Sequence, residues 1–373
     1  MTPPAVSVCI PSYNHAAYVR EAIGSVLSQE VPGGLEVVVT DDASTDGTPE
    51  VIESIGDPRI RLFRSPRNRG PSVTANHNVQ QARGEFVALL PSDDMFEPGK
   101  LARQLEVLRA RPEVAAVFSH MRYVDERGAP LAREPAALAL PRGVTRERAL
   151  RTFLLEGNCF AAPTAMLRRR EMLALGGFDA RLLQTQDFDF WIRLCLRHEV
   201  AMVEEPLVAY RIRDAQANMD ANTPAKAARL HWELPRILEH YLGCDAALLR
   251  AAFPETAAHL DAGLSPASAV GLLALAQPHP WMRAFGVEAL YRGLGDAAEA
   301  ARLEAAGWGN PAFFRVLAEV DPSGTARLQA AEQRHAAREH ELADYLRQVE
   351  EARDWFRIQA ERWEAAARGV AQP

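Results

Sequence analysis

Cysteine is scarce in this 373-residue sequence, and its four cysteines are far apart, at Cys9, Cys159, Cys195 and Cys244. No two of them share a spacing typical of metal ligands, which favours reduced thiols in a cytosolic protein. Long apolar runs are missing as well. The longest, "ASAVGLLALA" at residues 267–276, is too short to cross a bilayer. We therefore expect a soluble protein, cytoplasmic or peripherally associated with the inner face of the membrane.

An excess of positive charge is also missing, because the formal net charge is −7. This value argues against non-specific binding to nucleic acid, and we expect no nucleic-acid partner. The first residues, "MTPPAVSVCIP", have no basic segment before a short apolar run, so they predict a first strand and not a signal peptide. With 48% hydrophobic and 24% charged residues, the composition is that of a globular protein.

The first half of the chain alternates apolar strands with amphipathic helices. "AVSVCI", "LEVVVT", "RIRLFRS" and "EFVALL" have the continuous apolar character of strands that are buried on both faces. The pattern predicts an α/β fold with a mostly parallel, nucleotide-binding sheet flanked by helices. Ligands of such sheets bind beyond the carboxyl ends of the strands, which is where "DDAS" and "PSDD" both fall.

The composition changes after residue 213 to helices rich in alanine, leucine and arginine. We predict a catalytic domain over residues 1–220, a helical region over 221–322 and a long terminal helix over 323–373. In the last segment a seven-residue repeat places two sets of residues on one stripe: Leu328, His335, Leu342, Val349, Phe356 and Trp363, with Tyr345, Ala352, Gln359 and Ala366. Several of these are polar, so a short coiled coil that joins two copies and a helix packed on the body both remain open.

The carboxylates Asp93 and Asp94 follow a predicted buried strand, where they are costly unless a cation or hydrogen-bond donors compensate them. Mg²⁺ and Mn²⁺ commonly share their oxygen ligands between one or two carboxylates and substrate phosphates, so this pair indicates a metal–diphosphate site. Capping of the following helix by the two aspartates is the alternative.

An earlier acidic pair, Asp41 and Asp42, also ends a predicted strand. A carboxylate only accepts hydrogen bonds, so Asp42 suits the ring N–H of uracil or thymine, or the N1–H and amino group of guanine. Tyr13, on the loop after the first strand, offers a ring that can stack on a base. The alternative is a simple turn and helix cap, which explains Asp46 but leaves Asp41 and Asp42 unexplained.

Five motifs in order, "VSVCIPSYNHAAYVREAIGSVLSQ", "VVVTDDASTDGT", "RNRGPSVTANHNVQQARGEFVALLPSDD", "GGFD" and "QDFDFWIRL", resemble family 2 glycosyltransferases with the GT-A fold. The resemblance covers roughly residues 5–213. It implies an inverting transfer of a sugar from a nucleotide diphosphate-sugar, assisted by Mn²⁺ or Mg²⁺. The residues it implies are nucleotide contacts at Pro11, Tyr13, Asp42, Arg69 and Asp93, a metal contact at Asp94, and a general base at Asp187.

The assignment of Asp187 also has a physical basis. Inversion in one displacement needs a base within about 2.6–3.2 Å of the acceptor hydroxyl, across the sugar from the leaving diphosphate. Helical spacing lets Phe190, Trp191 and Leu194 anchor the helix while Asp187 projects into the cleft. Favourable interaction with the helix dipole is the alternative for the acidic residues at this position, and we prefer it for Asp189.

Two residues depart from the family pattern. Gln186 stands where many relatives have Glu, and Arg213 stands where they often have His. Arginine cannot ligate a metal, but its forked donors could clamp a diphosphate. Arg211 could play the same part or lie on the exposed face of its strand. His15 and His77 are near the nucleotide region, and we expect them to be structural or solvent-exposed.

The sequence leaves three functions open. The leading one is a sugar transferase that uses a UDP-sugar, with thymidine and guanosine donors open, in bacterial surface polysaccharide or glycoconjugate synthesis. Its acceptor would be a glycan, a lipid-linked intermediate, or a peptide or protein. A nucleotidyltransferase is the second, although the loop "PSYNHAAY" lacks the Gly-rich, basic character of that class. A non-catalytic scaffold with a degenerate transferase body is the third.

Overall fold

The computed structural model describes residues 3–131, 142–213, 223–321, 328–329, 331–347, 350, 353 and 357. The middle of the irregular excursion expected between residues 125 and 144 lies outside them. The described residues form eight strands: β1 (Val6–Ser12), β2 (Leu35–Asp41), β3 (Ile60–Arg64), β4 (Phe86–Leu89), β5 (Met95–Phe96), β6 (Val114–Val124), β7 (Met166–Arg168) and β8 (Glu199–Arg211).

The strands form one sheet in the order β3-β2-β1-β4-β7-β6-β8-β5. The half from β3 to β4 is parallel throughout, and β1 and β2 are buried along almost their whole length, as their apolar sequences predict. The other half is mixed, because β7 runs antiparallel to β4 and β6, and β5 runs antiparallel to β8. The α/β prediction is confirmed, and the parallel character is strongest in the half that carries Asp41 and Asp42.

Helices cover both faces of the sheet. The helices that follow the strands are α1 (Val19–Leu27), α2 (Thr48–Glu53), α3 (Pro71–Gln81), α4 (Lys100–Ala110), α5 (Arg146–Leu155), α6 (Arg169–Ala174) and α7 (Gln186–Cys195). The apolar residues of α1 and α4 pack with Val8 and Ile10 on one face. The opposite face, which includes Cys9, packs against α3, α5 and α7. Alternation of side chains along β1 thus builds two cores.

A helical region follows the sheet, as the change in composition predicts. Its helices are α8 (Pro224–Leu238), α9 (Ala246–Ala252), α10 (Ala257–Asp261), α11 (Pro266–Leu275), α12 (Pro280–Leu294), α13 (Ala297–Ala305) and α14 (Asn310–Val320). Ile237, Tyr241 and Phe285 share one hydrophobic core with Trp191 of α7. The buried Tyr241 hydroxyl also donates to the Leu150 carbonyl at 2.7 Å. This region therefore packs directly on the helix that carries Asp187.

The chain forms two compact units, residues 1–313 and 314–373, and the boundary predicted at residue 220 stays a prediction. Residues 331–347 are helical, and Leu342 and Tyr345 of the repeat are 58% and 62% exposed there. Six members of the repeat lie outside the described residues, namely Val349, Ala352, Phe356, Gln359, Trp363 and Ala366, so the coiled coil also stays a prediction. Within the described part of the chain, no helix is long and apolar enough to span a membrane.

An unusual feature of this core is a buried lysine at the start of α4. Lys100 is fully buried, donates to Gln104 at 2.7 Å and lies 4.2 Å from the centre of the Phe96 ring. Burial lowers the pKa of Lys100 to about 7. The unfolded chain therefore binds a proton at this side chain over a pH range where the folded chain does not.

We predict that the free energy of unfolding of the wild type rises relative to that of Lys100→Met between pH 7 and pH 9, by about 2 kcal/mol. The pKa of Lys100 is lower in the folded state than in the unfolded state, where it is about 10. The free energy of unfolding therefore rises as pH increases from about 7 toward 10. Below about pH 7 the destabilisation caused by burying Lys100 is at its full value. Urea unfolding at several pH values measures the difference. Lys226→Met, at the chain's other lysine, is the control. Parallel pH profiles for wild type and Lys100→Met would contradict the prediction.

Candidate active site

The predicted nucleotide residues lie on loops at the carboxyl end of the parallel strands. Tyr13 follows β1 and is 45% exposed, so its ring is accessible for stacking. The Asn14 amide donates to Ser44 and the Thr45 amide donates to Asn14, each at 2.8 Å, which ties the loop after β1 to the loop after β2. Pro11 lies within β1, in register with Thr40 of β2. The two loops thus form one surface beside Tyr13.

Asp42 is buried and holds the loop that precedes α3. Its carboxylate accepts the backbone N–H of Arg69 at 2.9 and 3.0 Å and that of Gly70 at 2.8 Å. The Arg69 side chain is exposed. A carboxylate offers about four acceptor positions, so the two amides leave Asp42 room for a further donor such as a base N–H. Asp42 and Arg69, expected to share the nucleotide site, are brought together by this contact.

Asp41 and Ser12 are register partners at the ends of β2 and β1, and both are almost fully buried. Asp41 accepts the Ser44 amide through Oδ2 at 3.0 Å. Its Oδ1 and the Ser12 Oγ have no hydrogen-bond partner in the described structure. Buried polar atoms without a partner are uncommon, and these two lie at the edge of the sheet where ligands of such folds bind.

A second group forms around Asp93. The Arg213 guanidinium donates through Nε to Asp93 Oδ2 at 3.1 Å and through Nη1 to His15 Nε2 at 2.9 Å. Since a guanidinium only donates, His15 Nε2 accepts, which leaves the proton on Nδ1 for the Ser92 hydroxyl at 2.7 Å. Burial lowers the pKa of His15; Asp93 opposes this shift, and the positive charge of Arg213 adds to it. His15 is therefore a neutral member of the site.

Asp94 lies on the inner side of the same loop and is almost fully buried. Its Oδ1 accepts the backbone N–H of Arg211 at 2.8 Å. The Arg211 side chain is also buried, and it donates to the Asp93 carbonyl at 2.8 Å and to Glu21 at 2.6 Å. The alternative in which Arg211 lies on the exposed face of its strand is therefore wrong. Instead, Arg211 fixes the backbone that presents the acidic pair.

The environment of Asp94 fits a divalent cation. Burial raises the pKa of Asp94 well above its usual value, and the neighbouring charge of Asp93 acts in the same direction. A bound cation would reverse this preference and hold the carboxylate ionised. No three His, Cys, Asp or Glu side chains are grouped to hold a metal in the part of the chain that is described. Sites that share a cation with substrate phosphates commonly use one or two carboxylates, which Asp94 and Asp93 could supply.

Asp187 is the second residue of α7 and is half-buried. Its Oδ1 accepts the Phe188 amide at 2.7 Å, and Asn158 Nδ2 lies 3.4 Å from Oδ2. Asp189 is expected from the sequence to interact with the helix dipole, but its strongest contacts are with side chains. Asp189 is buried, pairs with Arg193 at 2.6 Å and accepts from His240 at 2.7 Å. Asp187 is thus the more accessible carboxylate of this turn.

The structure therefore forms three groups from the predicted residues: the two joined loops with Tyr13, Asp42 and Arg69, the acidic loop with Arg213, and Asp187 on α7. Helix α3 is joined to the segment before α7, because Asn76 exchanges hydrogen bonds with Phe178 at 2.8 and 2.9 Å. Sequence reasoning missed the place of His15 and the contact from Asn158. For His15 the signal was its position in the loop after β1, and for Asn158 the sequence carries none.

Solved structures share the fold of this chain. S. aureus TarS 1–349, solved in complex with UDP-GlcNAc, matches with a TM-score of 0.55 over 88% of this chain and 92% of its own, at 20% identity. The same fragment solved in complex with UDP matches with a TM-score of 0.53. At this identity the likeness shows the fold alone, and it confirms the predicted GT-A architecture.

The family follows from sequence comparison. The profile of glycosyl transferase family 2 matches residues 7–176. TuaG of Bacillus subtilis, whose name assigns it to teichuronic acid biosynthesis, is 31% identical over 240 residues, 63% of this chain and 89% of TuaG. The succinoglycan biosynthesis protein ExoO of Rhizobium meliloti is 43% identical over 112 residues, 28% of this chain and 32% of ExoO. The chain belongs to glycosyltransferase family 2 and is a glycosyltransferase.

We predict that Asp42→Asn lowers the free energy of unfolding by about 1–3 kcal/mol, because the new amide nitrogen at this buried side chain cannot accept from the Arg69 and Gly70 amides. Denaturant unfolding measures the loss. Asp261→Asn, which removes an exposed carboxylate paired with Arg250, is the control and should change stability by less than about 1 kcal/mol. Equal stability of Asp42→Asn and wild type would show that these backbone contacts contribute little.

Proposed function

We propose that this glycosyltransferase is an inverting enzyme that transfers a sugar from a nucleotide diphosphate-sugar, with a UDP-sugar favoured, to an acceptor nucleophile. The observation that carries the proposal is the group of Asp93, Asp94 and Arg213 at the carboxyl edge of the sheet. In this group the Arg213 guanidinium, a fixed positive charge, pairs with Asp93 next to the buried Asp94 carboxyl. A diphosphate and its metal need both kinds of partner.

Arg213 and Asp94 would divide the work at the diphosphate. Arg213 pairs with Asp93 at 3.1 Å, and its forked donors suit phosphate oxygens as well as a carboxylate. Asp94, with Asp93 beside it, would hold Mn²⁺ or Mg²⁺. The chemistry that such a cation supplies when bound is neutralisation of the charge that develops on the leaving diphosphate. Tyr13 would stack on the base, and Asp42 would accept its N–H.

Asp187 would act as the general base. The Phe188 amide at Oδ1 and Asn158 Nδ2, 3.4 Å from Oδ2, hold the carboxylate that would take the proton of the acceptor hydroxyl. The proton moves to this carboxylate as the hydroxyl oxygen forms its bond to the anomeric carbon and the diphosphate departs from the opposite side. Such a transfer typically contributes about 10²–10⁴ in rate.

The names of TuaG and ExoO support a role in bacterial surface polysaccharide or glycoconjugate synthesis. The acceptor would accordingly be a glycan or a lipid-linked intermediate, with a peptide or protein as the other class. Peripheral association with the inner face of the membrane would suit a lipid-linked acceptor. The repeat of the terminal helix would join two copies of the chain.

We predict that Asp187→Asn lowers kcat by about 10²–10⁴ while leaving the affinity for the nucleoside diphosphate unchanged, because only proton transfer is lost. The assay measures nucleoside diphosphate release from a panel of UDP-, dTDP- and GDP-sugars with a mixed acceptor pool, with and without Mn²⁺. The surface variant Asp261→Asn serves as control. If wild type and Asp187→Asn release the nucleoside diphosphate at the same rate, Asp187 is not the general base. If wild type releases none from any donor, the non-catalytic scaffold is favoured.

A further prediction concerns the cation. A ligating carboxylate must be ionised, so Mn²⁺ affinity in the presence of a nucleoside diphosphate should rise with pH as the raised pKa of Asp94 is passed. Asp94→Asn should lower the affinity and remove that part of the pH dependence. Calorimetry at several pH values measures both proteins, and their difference cancels the titration of the nucleotide itself. Identical pH profiles would exclude Asp94 as the metal ligand.

A further inference from the structure

A buried glutamate of the helical region holds the loop that leads into α7. Glu233 of α8 is 3% exposed, and its carboxylate accepts four hydrogen bonds. Oε1 accepts the Leu183 amide at 3.1 Å. Oε2 accepts the Gln184 amide at 3.1 Å, the Thr185 amide at 3.0 Å and the Thr185 hydroxyl at 2.9 Å. One side chain thus takes every backbone N–H of three consecutive residues.

These contacts replace the usual arrangement at a helix start. Thr185 is the N-cap of α7, yet its side chain caps no amide of its own helix. Its hydroxyl points to Glu233 instead. A carboxylate near a helix N-terminus also interacts favourably with the helix dipole. The start of α7 is therefore set by a residue of α8, 48 positions further along the chain.

A carboxylate has about four acceptor positions, and these four donors occupy about all of them. Glu233 therefore has a role within the protein and is not a ligand-binding group. Asp187 lies two residues after Thr185, in the first turn of the helix that Glu233 fixes. A second tie comes from the same region, because His240 donates to Asp189 in that turn at 2.7 Å. The helical region thus holds the turn that carries Asp187 at two points.

We infer that Glu233 is a positioning residue for glycosyl transfer, which fixes residues 183–185 and through them the place of Asp187 against the acceptor. The inference rests on the proposed role of Asp187 as general base. A displacement of a reacting group by 1 Å can cost about 10² in rate. Loss of the Glu233 contacts should therefore reduce the chemical step and leave donor binding, which uses other loops, intact.

The test compares Glu233→Gln with Glu299→Gln. Glu299 is a matched control, because it is a buried carboxylate of the same helical region that accepts the Ser265 amide at 2.9 Å and its hydroxyl at 2.7 Å. Both variants should lose thermal stability. Only Glu233→Gln should lower kcat, by about 10- to 100-fold, with the donor KM and the UDP affinity within about twofold of wild type.

A second pair of variants separates positioning from folding, should Glu233→Gln unfold. Thr185→Ser keeps the hydroxyl that Glu233 accepts and should retain the wild-type kcat. Thr185→Val removes it at similar size and should lower kcat in the same direction as Glu233→Gln, with donor KM unchanged. In the double variant the loss should be smaller than the sum of the two single losses, since Thr185→Val removes one of the four hydrogen bonds that Glu233→Gln weakens.

The outcomes distinguish this inference from the proposed function. If Asp187→Asn lowers kcat but Glu233→Gln and Thr185→Val keep the kcat of Glu299→Gln, Glu233 is only structural and the inference is overturned while the base stands. If Asp187→Asn retains full kcat, the base assignment fails and the inference fails with it. A selective loss of kcat in Glu233→Gln or Thr185→Val, with Thr185→Ser active, supports it.

Discussion

Two adjacent carboxylates, Asp93 and Asp94, end a buried stretch of this fold, and their mutual repulsion must be compensated locally. The compensation comes from the end of β8. Pairing of β5 with β8 brings the Arg211 amide to Asp94, and the chain then places Arg213 beside Asp93. The long β8 is itself held by β6 along almost its whole length. The second half of the sheet thus serves to build the acidic site at the end of the first half.

The helical region holds the part of the chain that carries Asp187, as β8 holds the acidic pair. It shares a hydrophobic core with α7 and presents Glu233 to the preceding loop and His240 to Asp189. The residues that follow the family's motifs therefore hold the turn that carries Asp187, the proposed general base.

The alternation of strands and helices could be predicted because hydrophobic periodicity is a local property. The position of Asp42 and Asp94 at one edge of the sheet could also be predicted, because both follow strands whose carboxyl ends meet there. The antiparallel strands β5 and β7 could not, since two or three residues carry no period. Long-range partners were equally invisible. Asp42 meets the Arg69 amide 27 residues away, and His15 meets Arg213 at a separation of 198 residues. Only the folded chain shows that a loop histidine belongs to the site.

Arg213, at the position where the family resemblance implies a histidine, brings a fixed positive charge to the site. Arg213 remains protonated and neutralises Asp93, while His15, with burial lowering its pKa, accepts a bond from Arg213 as a neutral ring. Within the described part of the chain Asp94 forms no ion pair, and its Oδ1 accepts the backbone amide of Arg211. A cation held mainly by Asp94 would take most of its remaining ligands from phosphate and water. Metal and nucleotide sugar would consequently enter this site as a pair, each strengthening the binding of the other.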